Sequence, residues 1–145
     1  NIPGTHTVKY SSSIDEIKSS LNLYNNTKLI LLHCVSMYPC DYENANINKM
    51  IELMKLHESV GYSDHILGVE SAKIAIGMGA EVIEKHFTID NDLPGRDNKF
   101  AILPNHLKDL SVFISNRKKM LIDHGLGFQD GEKDSRINYE GRFNG

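Results

Sequence analysis

Three short strand-like runs, LILLHC, VGYS and VIEKHF, alternate with segments of helical spacing, and this alternation limits the fold more than anything else in the chain. Lys28–Cys34 (KLILLHC) is apolar at consecutive positions. A strand with one wet face alternates hydrophobic and polar, so an unbroken run fits a parallel strand covered on both faces. Before it, SSSIDEIKSSLNLY sets Ser13 three residues ahead of Glu16, the capping-box spacing. Ile14, Ile17, Leu21 and Leu23 add a helical stripe, and Asn25-Asn26 closes it. A polar loop, VSMYPCDYENAN, leads to a helix over residues 47–58 with Met50, Ile51, Met54 and Leu56 turned inward. Residues 60–63 read as a strand, GVESAKIAIGMGA as a helix rich in small residues, and residues 81–87 as another strand. The last helix starts near Pro104, suited to a first turn, and ends before Gly125 and Gly127. THTVKY, near the start, is β-like. Strand and helix in this order mean βαβ units on a parallel sheet.

A doubly wound open sheet and a (β/α)8 barrel share that order. No Gly-x-Gly-x-x-Gly follows a strand, against a dinucleotide fold. The polar clusters all follow strands: Ser36 and Tyr38, then Ser63, Asp64 and His65, then Glu84, His86 and Asp97. Barrels assemble their sites from several strand ends at the carboxyl face, and a whole barrel takes about 250 residues. At 145 residues the expectation is therefore an α/β fold, the carboxyl-terminal half of a TIM barrel. A start at Asn1 rather than Met, and a polar ending GEKDSRINYEGRFNG, read the same way. A net charge of −3 excludes strong electrostatic attraction to nucleic acid or anionic membrane. No apolar run reaches the roughly 18 residues of a membrane span. Cys34 and Cys40 are too few for a disulfide framework and lack zinc-ligand spacing, which points to a reducing cytoplasm.

The chemistry rests on His65 and His86. If their strands are neighbours, about 4.8 Å apart, two imidazoles can meet on one divalent ion and leave positions for water or substrate. Glu84 lies two residues before His86 and so faces the same way on a strand, with Lys85 pointing outward between them. That carboxylate can orient water or move protons. The competing view makes each histidine a satisfied structural residue. Ser36 and Ser63 are small loop hydroxyls suited to phosphate or carboxylate oxygens. Tyr38 is a rigid loop residue or a substrate wall, and Asp97 a solvated turn carboxylate. His33 and Cys34 read as core, Cys40 as exposed, and His6, His57, His106 and His124 as ordinary surface or helix positions.

LLHCVSMYP, VGYSDHILG, GAEVIEKHFT and LPGRDNKFAILPNHLKDL together resemble the carboxyl half of the barrel of N-acetylneuraminate (sialic acid) synthases, a family that includes legionaminic and pseudaminic acid synthases. The resemblance runs from about Ser13 to Leu110. It implies condensation of phosphoenolpyruvate with an N-acetylated aldose, such as N-acetylmannosamine or a 6-deoxy relative, giving a nonulosonic acid and phosphate. It implies a divalent cation, typically manganese, with magnesium or cobalt as alternatives, held by His65 and His86. Ser36 and Ser63 correspond to phosphoenolpyruvate-binding positions, Tyr38 and Asp97 to the sugar pocket, and Glu84 with His86 to catalytic positions. It further implies residues 1–124 as barrel and residues 125–145 as a linker toward an antifreeze-like domain, in a cytoplasmic homodimer. VKYSSS stands where the family carries a Ser/Thr-Gly-Met-like strand end. The resemblance places the phosphate-neutralising lysines in the amino half, so these residues alone are expected to be inactive. Two other readings stay open: a metal-dependent barrel hydrolase or aldolase on the same histidines, and an inactive, non-enzymatic half-barrel that survives only by pairing with another chain.

Overall fold

The capping box forms as its spacing requires. In the structure, a computed structural model describing residues 5–10, 13–22 and 28–139, Ser13 N donates to Glu16 Oε2 at 2.8 Å and Glu16 N to Ser13 Oγ at 3.4 Å. Helix α1 (Ile14–Leu21) begins there and buries Ile17. Leu23, Asn25 and Asn26 lie outside the described residues. Strand β1 (Thr5–Tyr10) precedes α1, and the apolar run becomes β2 (Lys28–Cys34), buried at every position after Lys28. Helix α2 (Lys49–Met54), strand β3 (Val60–Asp64), helix α3 (Glu70–Gly77), strand β4 (Val82–Lys85) and helix α4 (Pro104–Met120) follow. Pro104 opens α4, and the Leu103 N–H donates to His106 Nδ1 at 3.2 Å. The polar ending contributes a short helix, α5 (Lys133–Tyr139), whose Arg136 lies 4.2 Å over the Phe128 ring.

The strands pair in chain order, β1-β2-β3-β4, and all are parallel. Side chains alternate between faces along each strand. Leu29 and Leu31 of β2 and Val60 and Tyr62 of β3 pack with Ile17 of α1, Met50 and Leu53 of α2, and Ala75 of α3. Ile83 of β4 extends this face to Ala72 and Ile76 of α3 and Leu110 of α4. Helices α1 to α4 therefore cover one face. A doubly wound sheet has helices on both.

The opposite face carries Lys9, Leu32, Cys34, Gly61, Ser63 and Glu84. There Lys9 of β1 forms an ion pair with Glu84 of β4. Three strand spacings put β1 roughly 14 Å from β4 along the sheet, too far for side chains standing off a flat surface. This face is concave.

Four expectations change. Leu53, not Ile51, faces the core from α2, and Ile51 is exposed, because a six-residue helix buries a narrower stripe. Cys40 is buried with Ala45 and Ile66 rather than exposed. The strand expected over residues 81–87 ends at Lys85. Lys85 does point away from Glu84, but into the protein beneath α3, where only 3% of its side chain is exposed. His33 and Cys34 are buried, as expected.

Gly61 sits on the concave face, where an added Cβ would lie 2.4 Å from the Val82 carbonyl oxygen and 2.6 Å from Leu32 Cδ2. A backbone oxygen cannot move aside cheaply, so Gly61→Ala should cost about 1–3 kcal/mol in denaturant unfolding. His33 stacks on Tyr62 at 5.5 Å, and its Nε2–H donates to the Ala45 carbonyl at 2.9 Å. Burial holds its imidazole below the ordinary range. The unfolded chain then takes up a proton that folded His33 refuses, so this contribution is complete above about pH 6.5 and is lost progressively as pH falls below it. His33→Gln, which keeps a donor for Ala45, should flatten the fall of the unfolding midpoint between pH 7 and 5.

Candidate functional site

Period-two alternation continues past the strand ends. Ser63 and Glu84 are partners in the β3–β4 register, on the concave face. The same parity two residues on puts His65 and His86 there too. Their backbones are held from neighbouring loops: Cys40 N donates to the His65 carbonyl at 2.9 Å, and Ile102 N to the His86 carbonyl at 2.8 Å. The rings lie with centroids 5.4 Å apart. An ion about 2.1 Å from a nitrogen of each ring lies roughly 3.2 Å from each centroid. Two such rings sit between about 4.5 and 5.5 Å apart for angles of roughly 90–120° at the ion. The observed separation falls in that range.

Electrostatics favour the ligand form of His65. Burial pushes its imidazole pKa below the ordinary range, and His86 and Lys9 push the same way. A neutral ring keeps a lone pair for a metal. His65 Nδ1 and Ser63 Oγ are buried without a hydrogen-bond partner among the described residues. Buried polar atoms in this state are matched by a bound species more often than left orphaned. Among the described residues no group of three or more His, Cys, Asp or Glu side chains is placed to hold an ion. The two histidines thus fit part of a metal shell, the remainder being left to substrate and water.

The other expected residues gather around the pair. Tyr38, half-exposed on the loop after β2, meets His65 edge-on at 4.4 Å. Asp97 Oδ2 lies 3.6 Å from His86 Nδ1, an ion-pair distance if the ring is protonated but too long for a hydrogen bond. Glu84 faces the same space with its carboxylate on Lys9. Ser36 is exposed on the same loop as Tyr38, two residues past β2. The structure thus brings His65, His86, Tyr38 and Asp97 together, with Ser63 and Glu84 at the strand ends beneath them.

Two participants escaped the sequence. Lys9 follows from the β1 register only once β1 is known to belong to the sheet. Phe100, buried in the 3₁₀ turn Asn98–Phe100, stands edge-on to His86 at 5.1 Å and to His65 at 6.5 Å. Its only signal was that it opens the apolar run FAIL at the end of a polar loop. An apolar groove of about 560 Å³ lined by Ile83, Phe87, Ile102, Leu110 and Arg117 lies on the helix side of β4. It faces away from the histidines.

The NeuB family profile matches residues 10–125. The chain is 41% identical over 110 residues to an N,N'-diacetyllegionaminic acid synthase of Legionella pneumophila, covering 75% of this chain and 31% of that protein. It is 32% identical over 113 residues to a pseudaminic acid synthase of Campylobacter jejuni, covering 77% and 33%. Among solved structures, the N-acetylneuraminic acid (sialic acid) synthetase of Leptospira borgpetersenii superposes with a TM-score of 0.79 at 32% identity, over 95% of this chain and 50% of that one. The chain spans about a third of the length of these curated relatives. No helix among the described residues is long and apolar enough to cross a membrane.

Phe100→Ala removes a ring that neighbours Tyr38 and both imidazoles. It should cost about 3 kcal/mol of stability, and histidine ring NMR signals should broaden as His65 and His86 gain rotamers. Sharp, unshifted signals would show that the rings are fixed by other contacts.

Proposed function

Because the chain belongs to the NeuB family, we propose that it forms the carboxyl half of a (β/α)8 barrel that condenses phosphoenolpyruvate with an N-acetylated aldose to a nonulosonic acid, releasing phosphate. Two features support the barrel: the packing of α1 to α4, among the described residues, on a single face, and a concave opposite face bridged by Lys9 and Glu84. The groove beside β4 offers apolar surface for a further βα unit. The observation that carries the function is the convergence of His65 and His86 at 5.4 Å, with the Ser63 hydroxyl buried on the same face and without a hydrogen-bond partner among the described residues.

On this reading His65 and His86 hold a divalent cation, manganese first and magnesium or cobalt as alternatives. When bound, the cation supplies Lewis acidity toward the aldehyde of the open-chain sugar. Ser63 Oγ donates to a phosphoenolpyruvate oxygen, with Ser36 beside it on the neighbouring loop. Tyr38 walls the sugar pocket, and Asp97 accepts from sugar hydroxyls, holding the aldehyde over the enol carbon. The methylene carbon of phosphoenolpyruvate bonds to the aldehyde carbon, whose oxygen takes up a proton; water adds at the carbon bearing the phosphate, and phosphate departs to leave the keto acid. Glu84 is the carboxylate placed to move the proton taken from water, with Lys9 as its counter-ion. A cytoplasmic homodimer completes the proposal.

In the protein encoded by the complete gene, phosphoenolpyruvate plus N-acetylmannosamine or a diacetylated 6-deoxy hexose should release phosphate when manganese is present. His65→Ala and His86→Ala should each lower manganese affinity at least tenfold and abolish turnover. Retained affinity in both variants would remove the pair from the site, and activity without phosphoenolpyruvate would point to a hydrolase or aldolase.

A further inference from the structure

Directly behind the two histidines, on the helix face of the sheet, lies a buried ion pair that the reaction does not use. Lys85 Nζ donates to Asp64 Oδ2 at 2.8 Å and to the Ile66 carbonyl at 2.7 Å. Ser71 Oγ, from α3, donates to Asp64 Oδ2 at 2.6 Å, and Ile66 N donates to Asp64 Oδ1 at 3.0 Å. The side chains of Lys85 and Asp64 are 3% and 0% exposed. Such a pair is a costly way to hold a fold together, because two charges leave water and replacing both by apolar groups is often neutral or stabilising. Its best-attested use is to specify register.

Asp64 and Lys85 are themselves partners across the β3–β4 ladder. His65 and His86 follow them by one residue each, on the opposite face. The register that joins acid to lysine behind the sheet is therefore the register that levels the two rings in front of it. Lys85 also bonds the Ile66 carbonyl, so the ammonium grips the chain on both sides of His65.

We propose that Asp64 and Lys85, braced by Ser71, are positioning residues that set the separation of His65 and His86 and hence the affinity of the metal they share. This rests on the metal-site reading above. Slipping β4 by one residue would leave the Asp64 carboxylate buried without its counter-ion, carry Lys85 to the concave face and turn His86 away from His65. The pair thus makes the productive register the only one in which both charges are satisfied.

The experiment uses the full-length protein, with manganese binding followed by electron paramagnetic resonance of the free ion and unfolding midpoints measured in EDTA. The double variant Asp64→Asn/Lys85→Met removes both charges while nearly keeping volume. It should unfold at a midpoint close to the parent's yet bind manganese 10–100-fold more weakly, the usual loss when groups behind metal ligands are altered. Lys85→Arg, which keeps charge and donors, should recover most of that affinity. A folded double variant within twofold of the parent's affinity overturns the proposal. If the double variant does not fold, Ser71→Ala decides the matter: at least a threefold loss of affinity at an unchanged midpoint supports it, and unchanged affinity overturns it. His65→Ala separates the two levels. If that variant keeps full affinity, the metal-site reading itself fails; if it loses affinity while the double variant does not, only the positioning role does.

Discussion

The parallel ladder between β3 and β4 sets where every reactive group points. Gly61 opposes Val82, Tyr62 opposes Ile83, Ser63 opposes Glu84, and Asp64 opposes Lys85. Because side chains alternate, this ladder sorts the two strands into an apolar face for helices and a polar face for chemistry. A one-residue slip would send both sets to the wrong side. Gly61 contributes by having no side chain, since Leu32 and the Val82 carbonyl occupy the space a Cβ would take. Above it the polar residues begin, and one more step of the alternation reaches the histidines.

Side chains at strand ends inherit the rigidity of the sheet, whereas those on the loops above must be held by contacts of their own. His65 and His86 are of the first kind, each with its carbonyl further bonded to a crossing segment. Tyr38, Phe100 and Asp97 are of the second. Their arrangement depends on the 3₁₀ turn Asn98–Phe100 and on Asn91, whose side-chain amide donates to the Ala101 carbonyl at 3.0 Å. The strand-end part of the site, which holds the metal in the proposed reaction, is thus built more firmly than the loop part, which there faces the sugar. A family that varies its sugar while keeping its chemistry can use that division.

The elements easiest to read in the sequence were those whose local pattern and tertiary surroundings agree. β2, a near-continuous apolar run, and β3, a short strand-like run, fall within a residue of their expected limits; α1 carries its cap in its spacing. The neighbourhood of His65 and His86 was legible for the same reason, since strand adjacency and alternation leave them few places to go. Burial of charge was not legible. Alternation says that Lys85 leaves the face of Glu84, but not that α3 waits there with Ser71, a contact made only by tertiary packing. Ile51 and Cys40 were misjudged likewise, one because α2 is short and the other because a loop residue can be drawn under its neighbour. Phe100 shows the same gap for the site, since nothing in the run FAIL tells that its first residue stands against both imidazoles.

Cys40 has one more consequence. It is stitched to the loop beyond β3 by its bond to the His65 carbonyl and by a parallel bridge to Ile66, while Cys34 is anchored at the end of β2. Residues 35–39 are therefore a span of set length strung between two moorings, with Tyr38 at its crest against the His65 ring. Cys34 to Cys40 takes six residue steps where the neighbouring chain takes three from Ser63 to Ile66, so the excess bulges outward and its residue count sets where the crest falls. Gaining or losing one residue there would lift the tyrosine off the imidazole without touching either strand.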